Sequence, residues 1–219
     1  MKLWITFLIV QLKSTYSLYI DDPLIQTSLG PIRGSVLNTG YNEPVYQFLG
    51  IRYAKLPDNT TSQEAQLVVD KWKDVYNANN YKPSCPLPEN KETSEDCFYL
   101  NIFTTKLPHN HINTKRSVFV LVYPGGYRFD QNSVLDPYTF LNQNITIVSV
   151  NYRSGRFDVK DIVVALKWTK NHIEAFGGNP NSITVAVYNV GRFRISTADL
   201  FNEGTANFLK VLVMTVKDK

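Results

Sequence analysis

Residues 145–187 read ITIVSVNYRSGRFDVKDIVVALKWTKNHIEAFGGNPNSITVAV, and this stretch decides the fold. Its opening, Ile145-Thr146-Ile147-Val148-Ser149-Val150, has the β-branched composition of a strand. The period then changes. Ile162, Ala165, Leu166, Thr169 and Ile173 recur at helical spacing, which lays one apolar stripe along a helix and turns it toward a sheet. Gly177-Gly178 stops that helix and Pro180 keeps it from resuming. A second strand, Ile183-Thr184-Val185-Ala186-Val187, follows directly. Strand, helix and strand in this rhythm predict an α/β fold, with a mixed, largely parallel central sheet and flanking helices.

Outward from this stretch the same signals recur. Val118-Phe119-Val120-Leu121-Val122 is a continuous apolar run that ends at Tyr123-Pro124-Gly125-Gly126, as suits a strand buried on both faces. Phe98-Tyr99-Leu100-Asn101-Ile102-Phe103 also has strand composition. Residues 79–96 and 105–116 are polar, rich in Asn, Pro, Lys and Glu, and are expected on the surface as loops. Thr205 to Val216 reads as a helix leading into an apolar strand. Repeats and low-complexity tracts are absent from the sequence.

The chain has 219 residues, 43% of them hydrophobic and 13% aromatic, enough to bury a sizeable core. Its first residues form an address: Met1-Lys2, the apolar run Leu3 to Leu12, then Thr15-Tyr16-Ser17. That pattern predicts a secretory signal peptide over residues 1–17 and one domain over 18–219. The apolar run is too short to span a bilayer, which takes about 20 residues, so no membrane span is expected. Removing residues 1–17 takes away Lys2 and Lys13 from 23 basic residues, leaving 21 against 19 acids, a net charge of +2. A charge that small, with no basic stripe, argues against a nucleic-acid partner.

In an oxidising compartment an even pair of cysteines usually forms a disulfide, although Cys85 and Cys97 also admit a reading as two buried thiols. His109, His111 and His172 stand at no zinc-finger spacing from them, so no metal or other cofactor is called for. Asn59-Thr60-Thr61 and Asn144-Ile145-Thr146 match the N-glycosylation acceptor pattern.

Several blocks then look familiar in order. Leu29-Gly30-Pro31-Ile32-Arg33-Gly34 and Phe48-Leu49-Gly50-Ile51-Arg52-Tyr53-Ala54 come first, followed by Ser94-Glu95-Asp96-Cys97-Phe98-Tyr99-Leu100-Asn101. Asn151-Tyr152-Arg153, Ala165-Leu166-Lys167-Trp168 and Phe176-Gly177-Gly178-Asn179-Pro180 continue the series. Together they resemble the amino-terminal part of the cholinesterase and type-B carboxylesterase family. The resemblance implies a truncated α/β-hydrolase fold, a first disulfide between Cys85 and Cys97, and a structural ion pair between Glu95 and Arg153.

The catalytic device of that family departs here. Its nucleophile sits on a tight Gly-x-Ser-x-Gly turn between a strand and a helix. The matching stretch is Val187-Tyr188-Asn189-Val190-Gly191, with Asn189 at the serine position. An amide has no hydroxyl to form an acyl-enzyme. The triad acid and histidine would lie downstream, where the sequence supplies no histidine after His172, itself expected to be an ordinary helix-face residue. Gly125 and Gly126 keep two oxyanion-hole positions, although a plain turn explains them as well. The connection from Arg153 to Asp161 is shorter than the resemblance implies.

The expectation from these residues is a secreted, catalytically dead homologue with a protein-binding or adhesion role. It resembles in this respect the family's neuroligins, neurotactin and glutactin, with an extracellular protein or a second copy as partner. The apolar strand near Leu209 to Val216 is the surface expected to associate. The alternatives are an ester hydrolase that uses another nucleophile and a non-functional remnant.

Overall fold

The computed structural model describes residues 22–37, 43–55, 66–67, 70–86, 93–108, 115–123, 140–153, 158–190, 195, 197–200 and 209–216. Seven strands form the main sheet: β3 (Ser35–Leu37), β4 (Val45–Arg52), β8 (Tyr99–Thr104), β9 (Arg116–Val122), β10 (Ile145–Val150), β11 (Gly178–Val190) and β12 (Leu209–Val216). Their spatial order is β12-β11-β9-β10-β8-β4-β3. The strands β9 to β12 pair in parallel, whereas β8 runs antiparallel to β10 and to β4, and β3 antiparallel to β4. The sheet is therefore mixed, as expected, with its parallel part in the second half of the chain. Ahead of it, β1 (Leu24–Thr27), β2 (Gly30–Arg33) and β7 (Tyr76–Asn77) make a three-stranded sheet, and β5 (Ala54–Lys55) pairs with β6 (Gln66–Leu67).

Helix α1 (Asp158–His172) carries the chain back from β10 to β11. Its stripe is the one read from the sequence: Ile162, Ala165, Leu166 and Thr169 are all fully buried, and Trp168 joins them. Ile162, Ala165, Leu166 and Trp168 pack with Val118, Val120 and Val122 of β9, Val148 and Val150 of β10, and Ile183, Val185 and Val187 of β11 in one apolar cluster. Each such side chain contributes about 1.5–3 kcal/mol relative to exposure, so this face anchors the described part of the fold. A 3₁₀ turn, Ile173–Phe176, finishes the helix. Gly177 then takes φ 80° and donates its N–H to Glu174 and Ile173. A Cβ there would lie 2.6 Å from the Lys106 carbonyl oxygen, so both conformation and space demand glycine.

Two sequence expectations shift. The strand expected at residues 183–187 extends over Gly178–Val190, because β9 pairs with its first part and β12 with its last. The segment Thr205 to Val216 yields strand Leu209–Val216, and residues 205–208 lie outside the described part. On β12, Leu212 and Val213 are 48% and 37% exposed, so the apolar outer strand expected there is present. The chain then has one further short helix in its described part, α2 (Thr197–Leu200). Among the described residues no helix is long and apolar enough to cross a membrane.

Candidate active site at the carboxyl end of the parallel strands

In open α/β sheets, ligands bind outside the carboxyl ends of the strands, so the ends of β9, β10 and β11 are where chemistry is sought. Val122 and Val150 end β9 and β10 side by side, and Val187 of β11 pairs with Val122 of β9. The last three residues of β11 therefore project past β9 while β12 still pairs with them. Tyr188, the first of them, packs its ring against that of Tyr123 with centroids 5.2 Å apart. Tyr123 leads into Gly125 and Gly126, the oxyanion-hole candidates, which lie outside the described residues.

Asn189 does not sit on a turn. Its backbone continues β11, in register with Thr215 of β12, and Val190 pairs with Val216 beyond it. A nucleophile elbow needs the strand to have ended. β11 runs to Val190 and α2 begins at Thr197, and residues 191–194 and 196 between them lie outside the described part. Asn189 therefore stands in a paired strand, whereas the elbow that the resemblance implies would be a turn. Val187, in place of a glycine, agrees with this, because a β-branched residue suits a strand better than a strained elbow.

Behind β10, the Asn151-Tyr152-Arg153 block ties the edge of the site together. Asn151 donates its N–H to the Tyr99 carbonyl at 3.0 Å and accepts on its own carbonyl from Tyr53 Oη at 2.7 Å. Burial pushes the Tyr53 hydroxyl well above its usual range, with the Asp161 charge adding to the effect, so it is held as a neutral donor. Arg153 packs its guanidinium over the Phe98 ring at 4.9 Å and grips Asp161 through Nε and a terminal nitrogen, both at 2.8 Å. Its backbone N–H also donates to Asp161 at 3.2 Å.

That arrangement corrects the expected Glu95–Arg153 pair. The carboxylate that Arg153 hydrogen-bonds is Asp161, fully buried in the first turn of α1, while Glu95 is exposed and acts on Arg153 through charge alone, as the smallest of the influences on it. The short connection from Arg153 to Asp161 is the reason. With few residues between them, the helix start brings its own acid to the arginine, and an acid there also suits the helix dipole.

Cys85 and Cys97 are bridged, with Cα atoms 5.0 Å apart, which decides between the two readings left open for them. The neighbouring Asp96 pairs instead with Arg52, at 2.5 and 2.6 Å. His172 lies at the other pole, where α1 ends and β11 begins. Its Nδ1 meets the Ser28 hydroxyl at 3.0 Å, its ring packs on Trp168, and burial lowers its pKa. It is a helix-end residue remote from the strand ends, as expected. Asn59, His109 and His111 lie outside the described residues. Asn144 is described, and it is exposed.

The sequence profile of the carboxylesterase family matches residues 21–215. Esterase E4 of Myzus persicae is 34% identical over 192 residues, covering 78% of this chain and 35% of that protein. Carboxylesterase 1F of Mus musculus is 29% identical, covering 80% of this chain and 36% of its own length. Among solved structures, a carboxylesterase of Geobacillus stearothermophilus superposes with a TM-score of 0.67 at 26% identity, over 87% of this chain and 43% of that one. This chain spans about a third of the length of the curated relatives it matches. These relatives carry esterase names, which overturns the expectation of a catalytically dead homologue.

Proposed function

The chain belongs to the carboxylesterase family, and from that premise we infer that the protein hydrolyses carboxylic esters at the carboxyl end of its parallel strands. The observation that carries this reading is the projecting end of β11 beside Tyr123, which leads directly toward Gly125 and Gly126. In acyl transfer, backbone N–H groups at such positions hold the oxyanion while a hydroxyl takes the acyl group. Asn189 has no hydroxyl, so the acyl acceptor is another residue. Ser196 and Thr197 are the first hydroxyls in the sequence after Asn189, and these are the candidates to test.

Placement of the protein outside the cell is part of the same reading. The bridged Cys85 and Cys97 and the address in residues 1–17 both support passage through an oxidising compartment.

Hydrolysis of p-nitrophenyl butyrate by the complete protein, with and without a fluorophosphonate, tests the reading. Turnover that stops when one hydroxyl is labelled stoichiometrically is the expected result, and peptide mapping then identifies that hydroxyl. No turnover together with no label would overturn it.

A further inference from the structure

The pole opposite the candidate site holds a buried cation served by neutral groups. Arg116 opens β9, only 5% exposed, and its backbone N–H donates to the Gly177 carbonyl at 2.9 Å. One terminal nitrogen donates to the Thr105 hydroxyl and the other to Asn144 Oδ1 at 3.1 Å. Glu43 contributes charge from farther away. A guanidinium only donates, so the amide atom facing it has to be the oxygen, which fixes how the Asn144 side chain is turned. Its nitrogen then points away from Arg116, on a residue that is itself exposed. The backbone there takes φ 59°, a left-handed conformation that asparagine tolerates better than most residues.

Asn144 is also the first residue of Asn144-Ile145-Thr146, an acceptor triplet for N-linked glycans. We propose that Asn144 carries an N-glycan, and that its side-chain oxygen continues to serve the buried Arg116 after modification. The site rests on the secretion reading above. The sugar donor is an oligosaccharide linked to a lipid diphosphate. The Asn144 nitrogen forms the new bond to the sugar's anomeric carbon, the bond from that carbon to the phosphate oxygen breaks, the amide loses one proton and the lipid diphosphate leaves. The oxygen is untouched, and one N–H remains. Thr146 is fully buried in β10 and lies 3.4 Å from Thr104 Oγ1, so the transfer precedes the closing of that strand. Because Asn144 stands at the amino ends of the parallel strands, the glycan leaves their carboxyl ends open.

The complete protein, secreted from a eukaryotic host, is treated with a peptide N-glycosidase and mapped by mass spectrometry. The expected result is aspartate at position 144, and loss of one glycan from the intact mass in Asn144→Asp. Protein recovered from the medium with residue 144 bare overturns the site. Retention of the protein in the cytosol overturns both the site and the secretion reading, and ester hydrolysis by that same material is measured separately. Unglycosylated material tests the second half. Asn144→Gly keeps the left-handed backbone and removes the acceptor, whereas Asn144→Asp keeps an acceptor. A lower melting temperature for the glycine variant alone is expected. Equal melting of the two variants would show that the oxygen does not serve Arg116.

Discussion

Among the described residues an arginine is held to an aspartate twice, in two settings. Arg153 and Asp161 meet at 2.8 Å with side chains 10% and 0% exposed, and Arg52 and Asp96 meet at 2.5 Å with side chains 30% and 59% exposed. Each guanidinium also lies over an aromatic ring, and the two rings are sequence neighbours, Phe98 and Tyr99. Geometry alone would rank the exposed pair higher, since it is the shorter. Burial reverses that order. In water the attraction between two charges is screened and the ordering of two long side chains offsets most of it. In the interior, each charge has already lost its hydration, so removing one leaves the other stranded. The lesson concerns role. The buried pair fixes where α1 starts behind the strand ends, whereas the exposed pair only trims a loop.

The largest expected effect breaks the buried pair. Asp161→Ala strands Arg153 and is expected to cost about 3–5 kcal/mol of folding free energy, read as a lower urea midpoint. Asp161→Asn keeps one acceptor oxygen and is expected to cost less. A loss under about 1 kcal/mol for the alanine variant would put this pair in the same class as the exposed one.

The disulfide sharpens the comparison. Cys97 sits between Asp96 and Phe98, so the bridge to Cys85 constrains the loop that carries one pair and the ring that backs the other. Replacing both cysteines by serine is expected to cost about 3 kcal/mol, for a closed loop of this length in the chain-entropy model. In double-mutant cycles on that background, the coupling of Arg52 with Asp96 is expected to fall toward zero. The coupling of Arg153 with Asp161 is expected to persist, because the helix start holds Asp161 without the loop. Equal losses in both couplings would mean that the bridge organises the whole region.

The buried framework was legible in the sequence, and the partnerships across it were less so. The stripe Ile162, Ala165, Leu166 and Thr169 follows from period alone, and every member is buried. The halt at Gly177 follows from glycine, whose left-handed conformation and contact with Lys106 exclude a side chain. Asp161 was harder to see, because which acid reaches an arginine depends on where the helix begins, and hydrophobic period does not fix that to the residue. Asn189 shows a related difference between sequence and structure. Position in a motif was taken as position in space, but β12 pairs with β11 through Asn189 and carries the strand past the place where an elbow was expected. Pairing between strands distant in sequence is not written in either strand alone.

The smallest expected effect belongs to the exposed pair, and pH separates it from the buried one. The hydrogen bond from Arg52 is the main reason that the Asp96 carboxyl titrates below its ordinary value of 3.8, against a smaller opposing effect of burial. A carboxylate with a depressed folded-state pKa stabilises fully above the unfolded value, and the contribution disappears as the pH falls through the folded one. Asp96→Ala is therefore expected to cost less than about 1 kcal/mol at neutral pH, after allowance for solvent screening. That difference from the wild type should stay constant down to mildly acid conditions and close below the ordinary carboxylate range. Added salt should shrink it at neutral pH, because the pair is open to counterions, while the cost of Asp161→Ala should hardly change. Urea unfolding of the wild type and the two variants, repeated across pH and salt, measures all of this. A salt-independent loss of several kcal/mol for Asp96→Ala would show that the loop pair is shielded from water and would remove the contrast.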